Sequence, residues 1–325
     1  MKILVTGGAG FIGSHIVDAY LQEGHEVLIV DNLSTGDIAH CNSRAKFINL
    51  DINDKNIHTL FEEEKFDIVN HHAAQIDVRV AVQNPLFDAQ SNILGTLNLL
   101  QAAVTSKVKK IIFISSGGAI YGELANEKAP ALETHVISPL SPYGVSKHAA
   151  EHYLYLYHQM YGLDYTVLRY ANVYGERQGK KGEAGVVSIF ARQLLSQHSV
   201  TIFGDGNQIR DYIYIQDIVS ANLKVSTLSK TFRHYKNFTD GIYNIGTAEE
   251  HSVNDLFMLM EMQLKTGLKA VYAPPRDGEI FKSLIDSSKA TRELGWKPKF
   301  HFAEGIGRTV EWFKQNSTAG SMEKL

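Results

Sequence analysis

Eight residues near the start of the chain, Thr6-Gly7-Gly8-Ala9-Gly10-Phe11-Ile12-Gly13, leave few folds open. They follow a short apolar run, Ile3-Leu4-Val5, and lead into an amphipathic stretch from Phe11 to Glu23. A glycine-rich turn between strand and helix permits a tight turn, a close approach of backbone to a pyrophosphate, and packing of helix on strand. The N–H groups at the helix start then face the anion. Gly7, Gly10 and Gly13 are spaced as a one-residue variant of the dinucleotide-binding pattern. A second run, Glu26 to Val30, ends at Asp31, where an acidic residue binds the adenosine ribose 2′-hydroxyl. A carboxylate there repels a 2′-phosphate, and Asn32-Leu33-Ser34 offers no arginine to accept one, so NAD is expected rather than NADP. Asp51-Ile52, after the next apolar run, is placed to reach the adenine.

Further runs at Phe47–Leu50, Phe66–Val69 and Lys110–Ser115 repeat the strand signal between helical stretches. One helix is expected to start with Asn84 as its cap and Pro85 in its first turn, and to continue to about Ser106. The alternation predicts a doubly wound, mostly parallel α/β sheet of the Rossmann type. After about residue 175 the pattern loosens at Gly175-Glu176-Arg177-Gln178-Gly179-Lys180-Lys181-Gly182. The expected division is 1–175, the cofactor domain, and 176–325, a smaller α/β substrate lobe with segments interleaved with the first. Ser317 to Leu325 reads as a solvated tail.

With 325 residues the chain can bury a large core without metal or disulfide staples. Its formal charge of −3 gives no general attraction for nucleic acid or anionic membrane. Cys41 is the only cysteine, which excludes an intrachain disulfide and favours a reducing compartment. No run approaches the roughly 18 apolar residues of a membrane helix, so a soluble, cytoplasmic protein is expected. His71-His72 look like metal ligands, but neighbours on a strand point to opposite faces, so packing beside the cofactor is expected and no metal site.

Tyr143 and Lys147 lie at i and i+4 in Ser141-Pro142-Tyr143-Gly144-Val145-Ser146-Lys147, on one face of a helix. A phenol is a poor base at neutral pH, and a neighbouring ammonium favours the phenolate, so a lowered Tyr143 pKa is expected. A base tuned in this way serves alcohol oxidation.

Three features together, Thr6-Gly7-x-x-Gly10-x-x-Gly13, Ala73-Ala74 and Tyr143-x-x-x-Lys147, resemble the extended short-chain dehydrogenase/reductases. Arg169–Gly175, Gly204–Tyr212 and Pro275-Arg276-Asp277-Gly278-Glu279 narrow the likeness to the NAD-dependent epimerase/dehydratase family, from Met1 to about Phe313. The resemblance implies NAD lying along Phe11, Ile12, Asn32, Asp51, Ile52, Ala73, Ala74, Gln75, Asn92, Ser115 and Tyr170. It implies Asn172, Val186, Arg210 and Arg276 as substrate residues. Asn172 and the two arginines would hold a UDP-sugar's diphosphate, since forked guanidinium groups suit phosphate. It also implies 4-epimerisation: Tyr143 takes the 4-OH proton, C4 gives hydride to NAD, the keto sugar turns over, and hydride returns to its other face. Related enzymes often dimerise through the helix carrying Lys147, and Tyr153, Tyr155, Tyr157 and Tyr161 of that helix fit packing or such a contact.

One position departs from the family. Gly117 stands where relatives carry Ser or Thr against the reacting hydroxyl, so either a water or Ser116 substitutes, or Tyr143 works unaided. Gly118-Ala119 replaces the Asp-Glu pair of dehydratases and the Glu of decarboxylating relatives, leaving epimerisation. Ser283 replaces a bulky Tyr, leaving room for an N-acetyl group beside UDP-glucose and UDP-galactose. Arg79 is either the partner of a uronic-acid carboxylate or a solvated charge. A nucleotide-sugar oxidoreductase with net turnover and a non-catalytic NAD sensor are the remaining alternatives.

Overall fold

The computed structural model describes residues 1–126, 129–179, 185–227, 235–276 and 279–317. The expected tail beyond Ser317, Lys180–Gly182 of the charged loop, and Asp277 and Gly278 of the arginine segment lie outside these. In chain order the strands are β1 Lys2–Thr6, β2 Glu26–Asp31, β3 Lys46–Asn49, β4 Ile68–His71, β5 Lys110–Ser116, β6 Asp164–Tyr170 and β7 Asn172–Tyr174. They continue as β8 Thr201–Phe203, β9 Ile209–Arg210, β10 Tyr212–Tyr214, β11 Ile242–Ile245, β12 His251–Ser252, β13 Val271–Ala273 and β14 Lys282–Ser283.

The expected parallel sheet has seven strands in the order β11-β6-β5-β4-β1-β2-β3. A strand covered on both faces must be apolar along its middle, as β1 is over Ile3–Val5 and β2 over Val27–Val30. Ile3 and Val5 face one core with Ile16, Tyr20 and Ile29, while Leu4 faces the other with Leu28, Phe61 and Leu99. The order reverses between β4 and β1, opening the crevice in which sheets of this kind bind ligands. β11, which comes from beyond residue 176, completes the sheet beside β6. Past β6, small ladders set Asn172 opposite Tyr212 and Ser283 opposite Arg210, two residues apart along β9 and β10.

The helix expected from Asn84 to Ser106 is present with an internal irregularity. Asn84 caps it through the Phe87 N–H at 3.1 Å, with Pro85 in its first turn. A π turn over Gln90–Leu94 joins the segments Pro85–Ala89 and Gly95–Thr105. Such wider turns recur at functional sites because they re-aim one side chain, here Asn92. Tyr153, Tyr155 and Tyr157 pack partly buried against the core under the sheet, whereas Tyr161 is exposed. Among the described residues no helix is long and apolar enough to cross a membrane.

Candidate active site

The glycine turn is shaped by close backbone contacts. Gly7 has φ +68°, and a Cβ there would stand 2.6 Å from the Ala73 nitrogen. A Cβ on Gly13 would stand 2.2 Å from the Gly7 oxygen. Gly10 precedes the helix Phe11–Gln22 and gives it no side-chain cap, leaving N–H groups for an anion. Asp31 accepts from the Ala9 N–H at 3.0 Å and the Leu33 N–H at 2.8 Å, tying the turn to the end of β2; burial raises its pKa. A cavity of about 440 Å³ runs past Asp31, Asn32, Asp51, Ile52, Ala73, Ala74 and Gln75. Asn32 Nδ2 donates to Asp51 at 2.7 Å along its rim.

Gly7, His72, Ala74 and Ile76 also wall a second cavity of about 270 Å³, so the two adjoin at the turn. The second holds Phe11, Ile12, Gly13, Ser115, Ser116, Tyr143, Lys147, Tyr170 and Asn172. One cavity suits an adenosine, the other a nicotinamide with its reacting partner, and the turn between them a diphosphate. His71 and His72 diverge as strand neighbours must: His71 bonds Thr6 at 2.7 Å and Thr96 at 3.0 Å, while His72 lines both cavities. Burial holds both imidazoles neutral, with His72 drawn down to about 3. Asn92, expected along the cofactor, lies behind this wall and clamps its loop. It accepts from the Gln75 N–H at 2.9 Å and donates to the Gln75 carbonyl at 2.9 Å.

Tyr143 and Lys147 sit at the start of the helix Pro142–Tyr161, capped by Ser141 through the Gly144 N–H at 3.2 Å. Lys147 Nζ donates to the Ile114 carbonyl at 2.9 Å and lies 4.9 Å from the Phe113 ring centre. Burial pulls its ammonium down to about 8 against the charges of Asp88 and Glu151. The expected lowering of Tyr143 does not occur in the protein alone. Burial pushes the phenol up to about 12, with the Ser116 hydroxyl hydrogen-bonding it and opposing the rise. Desolvation of the phenolate outweighs the Ser116 hydrogen bond that opposes it. Of the substitutes weighed for Gly117, Ser116 is the group that meets the phenol.

Glu151 falls one further helical step along the Tyr143–Lys147 face and escaped the sequence reading, although the i, i+4, i+8 spacing marks it. It takes a forked pair from Arg169 at 2.9 and 2.6 Å, both side chains fully buried. Arg169 also donates to Tyr121 at 2.7 Å, which donates to Asn244 at 2.7 Å. This network underlies β5 and β6, which carry Ser116 and Tyr170. Asp88 escaped as well; it is buried and accepts from Gln75 and Asn92, both at 3.1 Å.

The four residues expected to hold the substrate are not gathered in one wall. Asn172 shares the cavity of Tyr143. A Cβ on Gly118 would stand 3.5 Å from Asn172 Oδ1 and 3.9 Å from Ser283 Oγ, so these three bound one space. Arg276 lies over the Phe203 ring at 3.7 Å in a groove with Gly204, Asp205 and Glu279. Arg210 pairs with that Glu279 at 3.4 Å and donates to the Ile209 and Phe281 carbonyls. Val186 departs from its expected place: it opens the helix Val186–Leu195 and packs against the core, outside the walls of these cavities. Arg79 is exposed and paired with Asp77 at 2.7 Å, the solvated charge of the two readings.

Residues 3–246 match the model of the NAD dependent epimerase/dehydratase family. The chain belongs to that family. A Methanocaldococcus jannaschii protein provisionally named a UDP-glucose 4-epimerase is 47% identical, over 97% of this chain and 99% of its own length. A crystal structure of Thermotoga maritima UDP-glucose 4-epimerase with UDP-glucose superposes with TM-score 0.92 at 45% identity, covering 98% of this chain and 100% of that one. Thermus thermophilus UDP-glucose 4-epimerase in complex with NAD superposes with TM-score 0.89 at 42% identity, covering 97% and 99%. NAD is the cofactor of this epimerase/dehydratase family member, and the paired cavities fit its two halves.

Proposed function

We propose that the chain is a UDP-hexose 4-epimerase, interconverting UDP-glucose and UDP-galactose and also admitting their N-acetylhexosamine forms. The observation that carries this reading is the meeting of Tyr143, Ser116 and Lys147 with Asn172 in a cavity walled on its other side by the glycine turn. The glycine turn, Asp31 and Lys147 would hold NAD, which when bound would supply a reversible hydride acceptor. Tyr143, hydrogen-bonded by Ser116, receives the proton of the sugar 4-OH as C4 is oxidised. Lys147 places a positive charge beside the developing phenolate, stabilising it in a dry site. Asn172, Arg210 and Arg276 retain the diphosphate while the keto sugar turns over, and Tyr143 returns the proton after reduction on the opposite face.

Gly118 and Ala119 support epimerisation over dehydration, since neither side chain can act as acid or base. The space shared by Gly118, Asn172 and Ser283 supports the wider sugar range. The pairing of Arg79 with Asp77 supports a neutral hexose over a uronic acid. A homodimer through the Lys147 helix belongs to the same proposal; Val145, Leu156, Met160 and Tyr161 leave apolar surface exposed on it. The cytoplasm is the proposed setting, a compartment that keeps the single thiol of Cys41 reduced.

The test is incubation with UDP-galactose, and separately UDP-N-acetylgalactosamine, without added reductant, the products being resolved by chromatography. Wild-type protein should form the gluco epimers and Tyr143→Phe should form neither while still binding NAD. Bound NAD with no conversion of either sugar would refute the proposal.

A further inference from the structure

Two histidines on the helix Pro142–Tyr161 take no part in the chemistry described above. His148 and His152 lie at i and i+4 on one face, and their Nε2 atoms stand 3.2 Å apart. A transition-metal ion holds each imidazole nitrogen at about 2.0–2.1 Å, which sets two of them about 2.9–3.4 Å apart at square-planar or tetrahedral bond angles. The pair has the spacing of two ligands on one ion.

Glu151 fixes which nitrogen of His148 is free. Its Oε2 stands 3.3 Å from His148 Nδ1, and as a carboxylate in a buried pair with Arg169 it can only accept. The His148 proton therefore sits on Nδ1, and Nε2 presents a lone pair to His152. A carboxylate behind the far nitrogen is also what orients metal-binding histidines and raises their basicity. Phe238 holds both rings: His152 stacks on it with centroids 4.2 Å and planes 15° apart, and His148 meets it edge-on at 5.8 Å. Without an ion, His152 donates from Nε2 to His148; with one, that proton moves to Nδ1 and both lone pairs converge.

We infer that His148 and His152 form a two-histidine site for a late divalent transition-metal ion, Cu2+, Ni2+ or Zn2+. Imidazole suits these ions, whereas Ca2+ and Mg2+ take oxygen ligands. Among the described residues no group of three or more His, Cys, Asp or Glu side chains could hold a metal ion, so water completes the coordination. His152 is exposed and admits that water. Val145 and Leu156, exposed on the surface proposed for the dimer, lie on the same side of the helix as His152, so the pair borders that surface. The inference needs neither the sugar nor the cofactor assignment.

The test is calorimetric titration of the metal-free, NAD-loaded protein, without a histidine tag and in its own oligomeric state, with CuCl2 and separately with ZnCl2. The sequence holds 14 histidines, so the readout is the difference between wild type and His148→Gln or His152→Gln. Wild type should take up one ion per chain that each variant binds at least about tenfold more weakly, since loss of merely the group behind a ligand costs about ten- to a hundredfold. Cu2+ should bind more tightly than Zn2+. The electron paramagnetic resonance spectrum of the one-equivalent Cu2+ complex should show two coordinated imidazole nitrogens in wild type and one in His152→Gln. Equal affinity in wild type and His152→Gln, no binding to wild type, or a single nitrogen in the wild-type spectrum overturns the inference. His148 touches a buried carboxylate, so should His148→Gln fail to fold, the exposed His152→Gln decides alone.

Discussion

Placing at position 117 the hydroxyl that the family resemblance leads one to expect there should weaken this protein. Gly117 begins the short helical turn Gly117–Ile120, where glycine costs about 0.5 kcal/mol relative to serine, so propensity alone favours Gly117→Ser. Packing opposes it. A Cβ there would stand 2.7 Å from Ile285 Cδ1, 3.1 Å from its Cγ2, and 3.2 Å from the Tyr170 carbonyl. Ile285 is 1% exposed and packs closely against Gly246, where a Cβ would stand 2.7 Å from its Cγ1, so little room is left for it to shift. Overpacking of this kind costs about 1–3 kcal/mol, which exceeds the propensity gain. A net loss of about 1–2 kcal/mol is expected, read by denaturant unfolding at fixed NAD concentration, since bound cofactor also stabilises. Ile285→Val removes the nearest atom and alone costs about 0.5–1.5 kcal/mol. The double variant should therefore lose less than the sum, with a coupling of about 1 kcal/mol. A Gly117→Ser protein as stable as wild type, or strict additivity, would refute the argument that Ile285 fills the place of the missing side chain.

Ser116→Ala removes the hydroxyl that meets Tyr143 and should lower kcat about ten- to a hundredfold with KM little changed, by steady-state assay; an unchanged kcat would show that Tyr143 works unaided. Arg169→Gln strands the buried Glu151 carboxylate and should cost about 3–5 kcal/mol at neutral pH by denaturant unfolding. Burial alone would raise Glu151, but the Arg169 charge and its hydrogen bonds hold it at about 2 against an ordinary 4.5. A carboxylate lowered in the fold stabilises it fully above the unfolded value, so wild-type stability should fall as pH drops from 4.5 towards 2. In Arg169→Gln that contribution to the acid loss should vanish, as pH-dependent unfolding curves would show.

Strands, helices and the cofactor turn were legible because each depends on neighbours in the chain. Alternating apolar runs announce a covered parallel sheet, and Gly7, Gly10 and Gly13 announce a turn that side chains would block. The Tyr143–Lys147 pair was legible for the same reason, since i and i+4 share a face whatever surrounds the helix. Distance along the chain hid the rest. The phenol's raised pKa follows from burial beneath segments far from it.

Local spacing thus determined the sheet, the dinucleotide site and the candidate proton-transfer pair, each set by backbone geometry within a few residues. Tertiary structure decided which neighbours those groups keep: Ser116 rather than residue 117 against the phenol, Ile285 in the gap above Gly117, Asn92 behind the cofactor wall rather than along it. Desolvation and close packing depend on what the rest of the chain brings within a few ångströms, and no local pattern encodes that.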